Sequence, residues 1–192
     1  MKILKFGGSS ISTPQRIKSV IEIVKPGLVN QDMALVFSAF GGITDIIINL
    51  SGLALAGSAE YKDQLMQLEK RHLEAVRELI DMQHQSRVLA QVKFLMNELE
   101  DVLHGVFLVK ERTPRSLDYI MSFGERLSAY IISEAFKASG IAAEFLDARK
   151  VMRTDNHFGH AKVNFEVTNK LIREHFKNHQ DLQIITGFIG SS

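Results

Sequence analysis

Lys2-Ile3-Leu4-Lys5-Phe6-Gly7-Gly8-Ser9-Ser10-Ile11-Ser12-Thr13-Pro14 is the stretch on which the fold turns. A short, mainly apolar run closes on two glycines, and this reads as a buried strand. A helix start signal follows, with Thr13 as N-cap and Pro14 at the first helical position. Ile17, Val20, Ile21 and Val24 then recur on one helical face, and Pro26-Gly27 stops the helix. Ala34–Phe40 is the next apolar run. Strand, helix, strand in this order predicts a right-handed crossover and a parallel sheet. Ala143–Leu146 and Leu182–Ile189 read as further strands. Val163–His179 reads as the last helix, with Val167, Leu171, Ile172 and Phe176 inward.

Residues 59–112 follow a different rule. Leu65, Leu68, His72, Val76, Leu79 and Ile80 recur at helical spacing. Beyond a break near Gln83–Gln85, Val88, Val92, Leu95, Met96, Leu99, Val102, Leu103 and Val106 do the same. This predicts two long amphipathic helices packed as a hairpin, inserted into the α/β unit to cover an edge or face of the sheet. Thr113-Pro114 opens another helical stretch. It is expected to be interrupted at Gly124 and then to run over Leu127–Ala138 to Gly140.

Composition narrows the function classes. The 192 residues are 45% hydrophobic, which suits one domain or one and a half. The formal net charge is +1, which argues against a broad nucleic-acid surface and, with the high apolar content, against disorder. There is no cysteine, which excludes disulfides, thiol nucleophiles and thiolate metal sites. Met1–Phe6 lacks the apolar core of a signal peptide, and no apolar run approaches the ~20 residues of a membrane span. A soluble cytoplasmic protein is expected, with neither nucleic acid nor membrane as partner.

Chemistry-bearing residues gather at the strand ends. Gly7 and Gly8 let backbone approach a ligand, amides near a helix start favour an anion, and Lys5 adds a full positive charge. The natural ligand is a phosphate or a carboxylate; a purely structural turn is the plainer alternative. Neither a Walker A loop nor a dinucleotide fingerprint is present. Ser38-Ala39-Phe40-Gly41-Gly42-Ile43-Thr44-Asp45 repeats the design. Here Thr44 is either an N-cap for a helix through Leu50 or, with Ser38, a hydroxyl facing a bound anion. Ser122-Phe123-Gly124-Glu125 places a carboxylate in an apolar helical context, where it either is solvated or meets a substrate ammonium. Asp147–Asp155 is dense in both charge signs and either borders the site or is a solvated loop. The pairs His157/His160 and His175/His179 lack the glutamate of a His-Glu-x-x-His site, so no metal ligands are expected.

In order, these segments resemble the aspartate kinases of the amino-acid kinase superfamily. Lys5-Phe6-Gly7-Gly8-Ser9-Ser10 is similar to that family's opening Lys-Phe-Gly-Gly-Thr/Ser-Ser. Ser38–Asp45 is similar to its second glycine loop, and Phe123-Gly124-Glu125 to its Gly-Glu motif. Asp147-Ala148-Arg149-Lys150-Val151-Met152-Arg153-Thr154-Asp155 with Phe158-Gly159 resembles its Asp-x-Arg-x-x-x-x-Thr-Asp loop. Gly187-Phe188-Ile189-Gly190 resembles its Gly-Phe-Ile-Gly strand end. The ordered set spans Lys5 to Gly190.

The resemblance implies an α/β three-layer αβα sandwich with a mainly parallel sheet, plus the helical hairpin. It implies transfer of the ATP γ-phosphate to the side-chain carboxylate of L-aspartate, giving 4-phospho-L-aspartate, with Mg²⁺ carried by ATP. By that resemblance Lys5 stabilises the transferring phosphoryl group, with Gly7, Gly8 and Ser9 around the phosphates. Ser38 and Thr44 orient the aspartate carboxylate, and Glu125 pairs with the ammonium. Relatives continue into a Gly-Arg-Gly-Gly-Ser-Asp segment, the rest of the nucleotide lobe and regulatory ACT domains. Residues 1–192 are therefore expected to be an incomplete catalytic domain, inactive alone, of a homo-oligomeric parent that in some relatives is fused to homoserine dehydrogenase. The rival expectations are a kinase of the same superfamily acting on glutamate, N-acetylglutamate, carbamate or UMP, and a non-catalytic binding domain.

Overall fold

The computed structural model describes residues 1–29 and 32–192. Among them, four strands form one sheet: β1 (Lys2–Phe6), β2 (Met33–Phe37), β3 (Ala143–Leu146) and β4 (Leu182–Thr186). The spatial order is β1-β2-β4-β3 and every pairing is parallel. All four strands therefore deliver their carboxyl ends to one edge, where ligands of open parallel sheets bind. The strands β2 and β4 stop earlier than the apolar runs suggest. Ser38–Phe40 and Gly187–Ile189 have left the ladder to form the turns.

Side-chain alternation separates the two faces. Leu4, Leu35, Ile184 and Phe145 lie in register on one face and belong to, or pack against, the main core. Five helices build that core. They are α1 (Pro14–Val24), α2 (Ile43–Leu55), α3 (Tyr61–Leu79), α4 (Met82–Val109) and α5 (Pro114–Ala138). α1 starts as its sequence dictates, with Pro14 in the first turn and Thr13 Oγ1 accepting from the Arg16 amide at 3.3 Å. The helices α3 and α4 form the expected hairpin, but it packs chiefly on α2 and α5 rather than on an edge or face of the sheet. The break falls at Ile80–Asp81 rather than near Gln83–Gln85, because Asp81 caps α4 by accepting from the Gln83 and His84 amides.

α5 is the spine of this layer. Thr113 caps it, and every residue from Ser122 to Ala129 is buried. It is continuous through Gly124, contrary to the expected interruption. A Cβ on Gly124 would come within 2.8 Å of the Ala39 Cβ, so the glycine serves a close approach between helix and loop. Each fully buried Leu, Ile or Phe on such a face contributes about 1.5–3 kcal/mol.

The opposite face carries α6 (Phe165–Asn178), completing a three-layer α/β sandwich. Two polar pairs tie it to the sheet. The His175 Nε2 hydrogen-bonds with the Gln183 side chain at 2.8 Å, and His179 Nδ1 with Glu144 at 2.6 Å. Val167 was expected inward, but it is 41% exposed; Thr168 is the one fully buried residue of this helix, and Leu171, Ile172 and Phe176 are half-buried. No described helix is long and apolar enough to cross a membrane.

Candidate functional site at the carboxyl edge of the sheet

The first glycine turn leaves β1 in an extended conformation at Gly7 and winds into a short 3₁₀ turn over Gly8–Ile11. Ile11 is fully buried and anchors the turn in the core. The Ser9 carbonyl accepts from the Arg16 guanidinium at 2.5 Å and from Ser12 Oγ at 3.3 Å. Gly7 has open space where a Cβ would stand, so its backbone is accessible to a ligand. Lys5 and Ser9 are exposed. Lys5 projects on the face opposite the main core, in register with Val36 of β2.

The second turn is held from α5. Ser128 Oγ donates to the Ser38 carbonyl at 2.7 Å, and Glu125 Oε1 accepts from the Ala39 amide at 3.3 Å. Glu125 is thus no solvated helix residue. It is 7% exposed, and burial pushes its carboxyl above the usual range, opposed by the Ala39 N–H. Gly42 takes φ +79° and is itself the N-cap of α2. Thr44 is therefore not a cap. It is exposed in the first turn of the helix, which runs on to Leu55 rather than stopping at Leu50.

The two turns touch through backbone. A Cβ on Gly8 would meet the Ala39 carbonyl oxygen at 2.9 Å, and one on Gly41 would meet the Ser12 Cβ at 2.9 Å. Arg71 of α3 reaches both. Its Nη2 donates to the Gly41 carbonyl at 2.8 Å and to the Ser12 carbonyl at 3.2 Å. The next residue, His72, is fully buried and stacks on Phe40 with ring centroids 5.3 Å apart. Its Nδ1 hydrogen-bonds the Leu68 carbonyl at 2.8 Å, and its buried Nε2 has no partner among the described residues. Desolvation therefore lowers its pKa to about 4, against the Leu68 hydrogen bond and aided by the Arg71 charge.

The remaining strand ends are tied to one another. Thr186 Oγ1 at the end of β4 accepts from the Ala148 amide at 2.8 Å, and Gly187 N donates to the Phe37 carbonyl at 2.8 Å. Beyond β3, burial works to raise the Asp147 carboxyl. The hydrogen bonds and charge of Arg149, at 2.6 Å, outweigh it and hold the carboxyl below the usual range. The Thr154 amide donates to the Ser191 carbonyl and the Ser191 amide to the Met152 carbonyl, each at 2.9 Å. Gly159 N donates to Asp118 of α5 at 2.7 Å. Phe188 is 97% exposed with φ +62°, a left-handed conformation uncommon for a bulky residue and frequent near functional sites. Among the described residues, no three of His, Asp or Glu are grouped to hold a metal ion.

All five sequence segments thus reach one edge of the sheet or the helix that supports it. Sequence reasoning missed Arg71 and Ser128, which hold the turns through backbone carbonyls. It also missed Arg126, which pairs with Glu98 of α4 at 2.7 Å and lies 4.3 Å above the Phe123 ring.

The chain is thus a parallel α/β domain with two glycine turns packed together at its carboxyl edge, where ligands of such sheets bind. The chain belongs to the amino acid kinase family, whose match covers residues 1–192. It is 30% identical to the aspartokinase of Chlamydia pneumoniae over 202 aligned positions, covering 99% of this chain and 39% of that protein. It is 27% identical to bifunctional aspartokinase/homoserine dehydrogenase 2 of Zea mays, a chloroplastic protein, over 98% of this chain and 21% of the relative. Escherichia coli aspartokinase III, solved in complex with aspartate and ADP, shares the fold. Its TM-score is 0.84 at 24% identity, over all of this chain and 41% of that one. The chain thus spans about a fifth to two fifths of the length of these relatives.

Proposed function

We propose that the full-length protein transfers the γ-phosphoryl group of ATP to the side-chain carboxylate of L-aspartate. The observation that carries this reading is the aspartokinase match along 98–99% of the chain, joined to the gathering of all five motifs around one sheet edge. The reaction places the protein at the entry to lysine, threonine and methionine biosynthesis.

The chemistry follows from charge. A carboxylate is already nucleophilic at neutral pH, since its pKa lies near ~4, so no general base is needed. One carboxylate oxygen bonds to the γ-phosphorus while the bridging oxygen leaves with ADP and keeps the electron pair. No proton need move. The barrier is the approach of two anions, and the protein lowers it by positioning and charge neutralisation. Lys5 supplies the cation. Gly7, Gly8 and Ser9 supply backbone that a phosphate can approach, consistent with the open space at Gly7. Mg²⁺, when bound with ATP, adds charge neutralisation and is held mainly by phosphate oxygens.

Ser38 and Thr44 orient the acceptor carboxylate by their hydroxyls. Glu125 pairs with the substrate ammonium. An ionised carboxylate has about four acceptor positions, and the Ala39 amide takes one of them. The ammonium would also counter the burial that favours the protonated form.

We propose further that residues 1–192 form the first part of a catalytic domain completed by later residues. The support is the 39–41% of a relative's length that the chain covers. Oligomerisation and, as in the Zea mays relative, fusion to a homoserine dehydrogenase belong to the same proposal.

The test is an acceptor panel on the full-length protein, read as ADP release. L-aspartate is expected to stimulate release, while glutamate, N-acetylglutamate, carbamate and UMP leave it near background. Preference for any of those four would move the protein to another branch of the family. No acceptor-dependent release would favour a binding domain.

A further inference from the structure

The phosphate turn and the carboxylate turn come from different crossovers of the sheet, yet phosphoryl transfer needs them at a fixed separation. Errors of about 1 Å in such placement cost on the order of 10²-fold in rate. Backbone contact between Gly8, Gly41 and their neighbours brings the two turns together, and at their roots the Ser38 amide donates to the Phe6 carbonyl at 3.2 Å. Farther out, one side chain bonds to both. The Nη2 of Arg71 donates to the carbonyls of Ser12, just past the first turn, and of Gly41, midway through the second. Neither acceptor carbonyl can be read from a motif.

The helix that carries Arg71 is itself fixed against the second turn. His72 is fully buried one residue on, with its ring stacked on Phe40. Leu68 and Ala75, also buried, place this side of α3 in the core. The guanidinium presents several donors from one rigid plane, which suits two carbonyls of separate turns.

We propose that Arg71 is a positioning residue for phosphoryl transfer. By clasping the Ser12 and Gly41 carbonyls it sets the gap between the Lys5–Ser9 phosphate turn and the Ser38–Thr44 carboxylate turn. The helical hairpin then acts on the reaction as the mount of this clasp, beyond its part in the core. The inference rests on the phosphoryl-transfer reading for its kinetic consequence. Its structural half stands apart from that reading.

Two measurements on the full-length protein test it, with Arg71→Ala as the variant. In steady-state kinetics, kcat is expected to fall about 10–100-fold with KM for ATP and for aspartate within about threefold of wild type. Added guanidinium is expected to restore part of the loss in Arg71→Ala and to do nothing for wild type. In amide hydrogen exchange, residues 7–12 and 38–42 are expected to exchange at least about tenfold faster together, with α5 unchanged. If Arg71→Ala does not fold, Arg71→Gln takes the same readouts. Unchanged kcat, or unchanged exchange in both turns, overturns the proposal. So does a kcat loss without guanidinium rescue that tracks the unfolded fraction. If the wild type itself shows no aspartate-dependent turnover, the functional reading fails while the exchange experiment still decides the clasp.

Discussion

On one face of the sheet, α5 presses Ile132, Ala135 and Phe136 into a core from which they expose nothing to water. On the other, α6 meets the strands through the His175–Gln183 and His179–Glu144 pairs, and Ile3 at the outer strand is 63% exposed. The same sheet thus supports one side built on full apolar burial and one where polar pairs join half-buried apolar residues. Lys5 emerges on the second side, at its carboxyl edge. There its side chain is exposed to solvent. The division places the main apolar core on one face and the exposed Lys5 side chain on the other.

The largest effects should fall on the apolar face. Phe136→Ala is expected to lower stability by about 3–5 kcal/mol in denaturant titration, and Phe176→Ala on α6 by less than about 1.5 kcal/mol. Equal losses would erase the contrast between faces. Lys5→Ala should behave in the opposite sense. Its rate should fall about 10²–10³-fold in the full-length protein, while the unfolding midpoint moves by no more than about 0.5 kcal/mol. An unchanged rate would leave Lys5 as a surface residue.

His72 gives the apolar face a pH signature. Its folded pKa of about 4 lies below the ordinary value of ~6.5. As pH falls, the unfolded chain takes up the proton first. Stability is therefore full above ~6.5 and declines between ~6.5 and ~4, by on the order of 3 kcal/mol in total. His72→Phe keeps a ring against Phe40 and should flatten that part of the pH profile. The same slope in the variant would assign it to other groups. The smallest effect is expected on the polar face. The His179 and Glu144 side chains are 43% and 39% exposed, so His179→Ala should change stability by less than about 0.5 kcal/mol. A larger loss would mean that the pair is screened from solvent more than its exposure shows.

Much of this architecture was legible in the residues themselves. Strands, crossover helices and glycine turns are local features, and Thr13-Pro14 and Thr113-Pro114 announce their helices by capping chemistry alone. Gly124 was misread because glycine inside a helix looks like a break until its neighbour is known. That neighbour is Ala39, 85 positions earlier in the chain. The break in the hairpin was placed late because Asp81, a cap, competes with the polar run that follows it. Arg71 and Ser128 left no signal. Both act on backbone carbonyls, which every residue carries, so no partner residue type marks the contact. The sequence marks Glu125 only as a candidate, and its bond to the Ala39 amide is hidden for the same reason.

If this carboxyl edge carries the proposed phosphoryl transfer onto a carboxylate, the acyl phosphate product allows a direct test. Hydroxylamine attacks an acyl phosphate to give a hydroxamate, so trapping reports the bond formed rather than ATP loss alone. The full-length protein with ATP and Mg²⁺ is predicted to form hydroxamate only when L-aspartate is present, with Lys5→Ala reduced to near background. Steady ATP consumption with no aspartate-dependent hydroxamate would contradict the account.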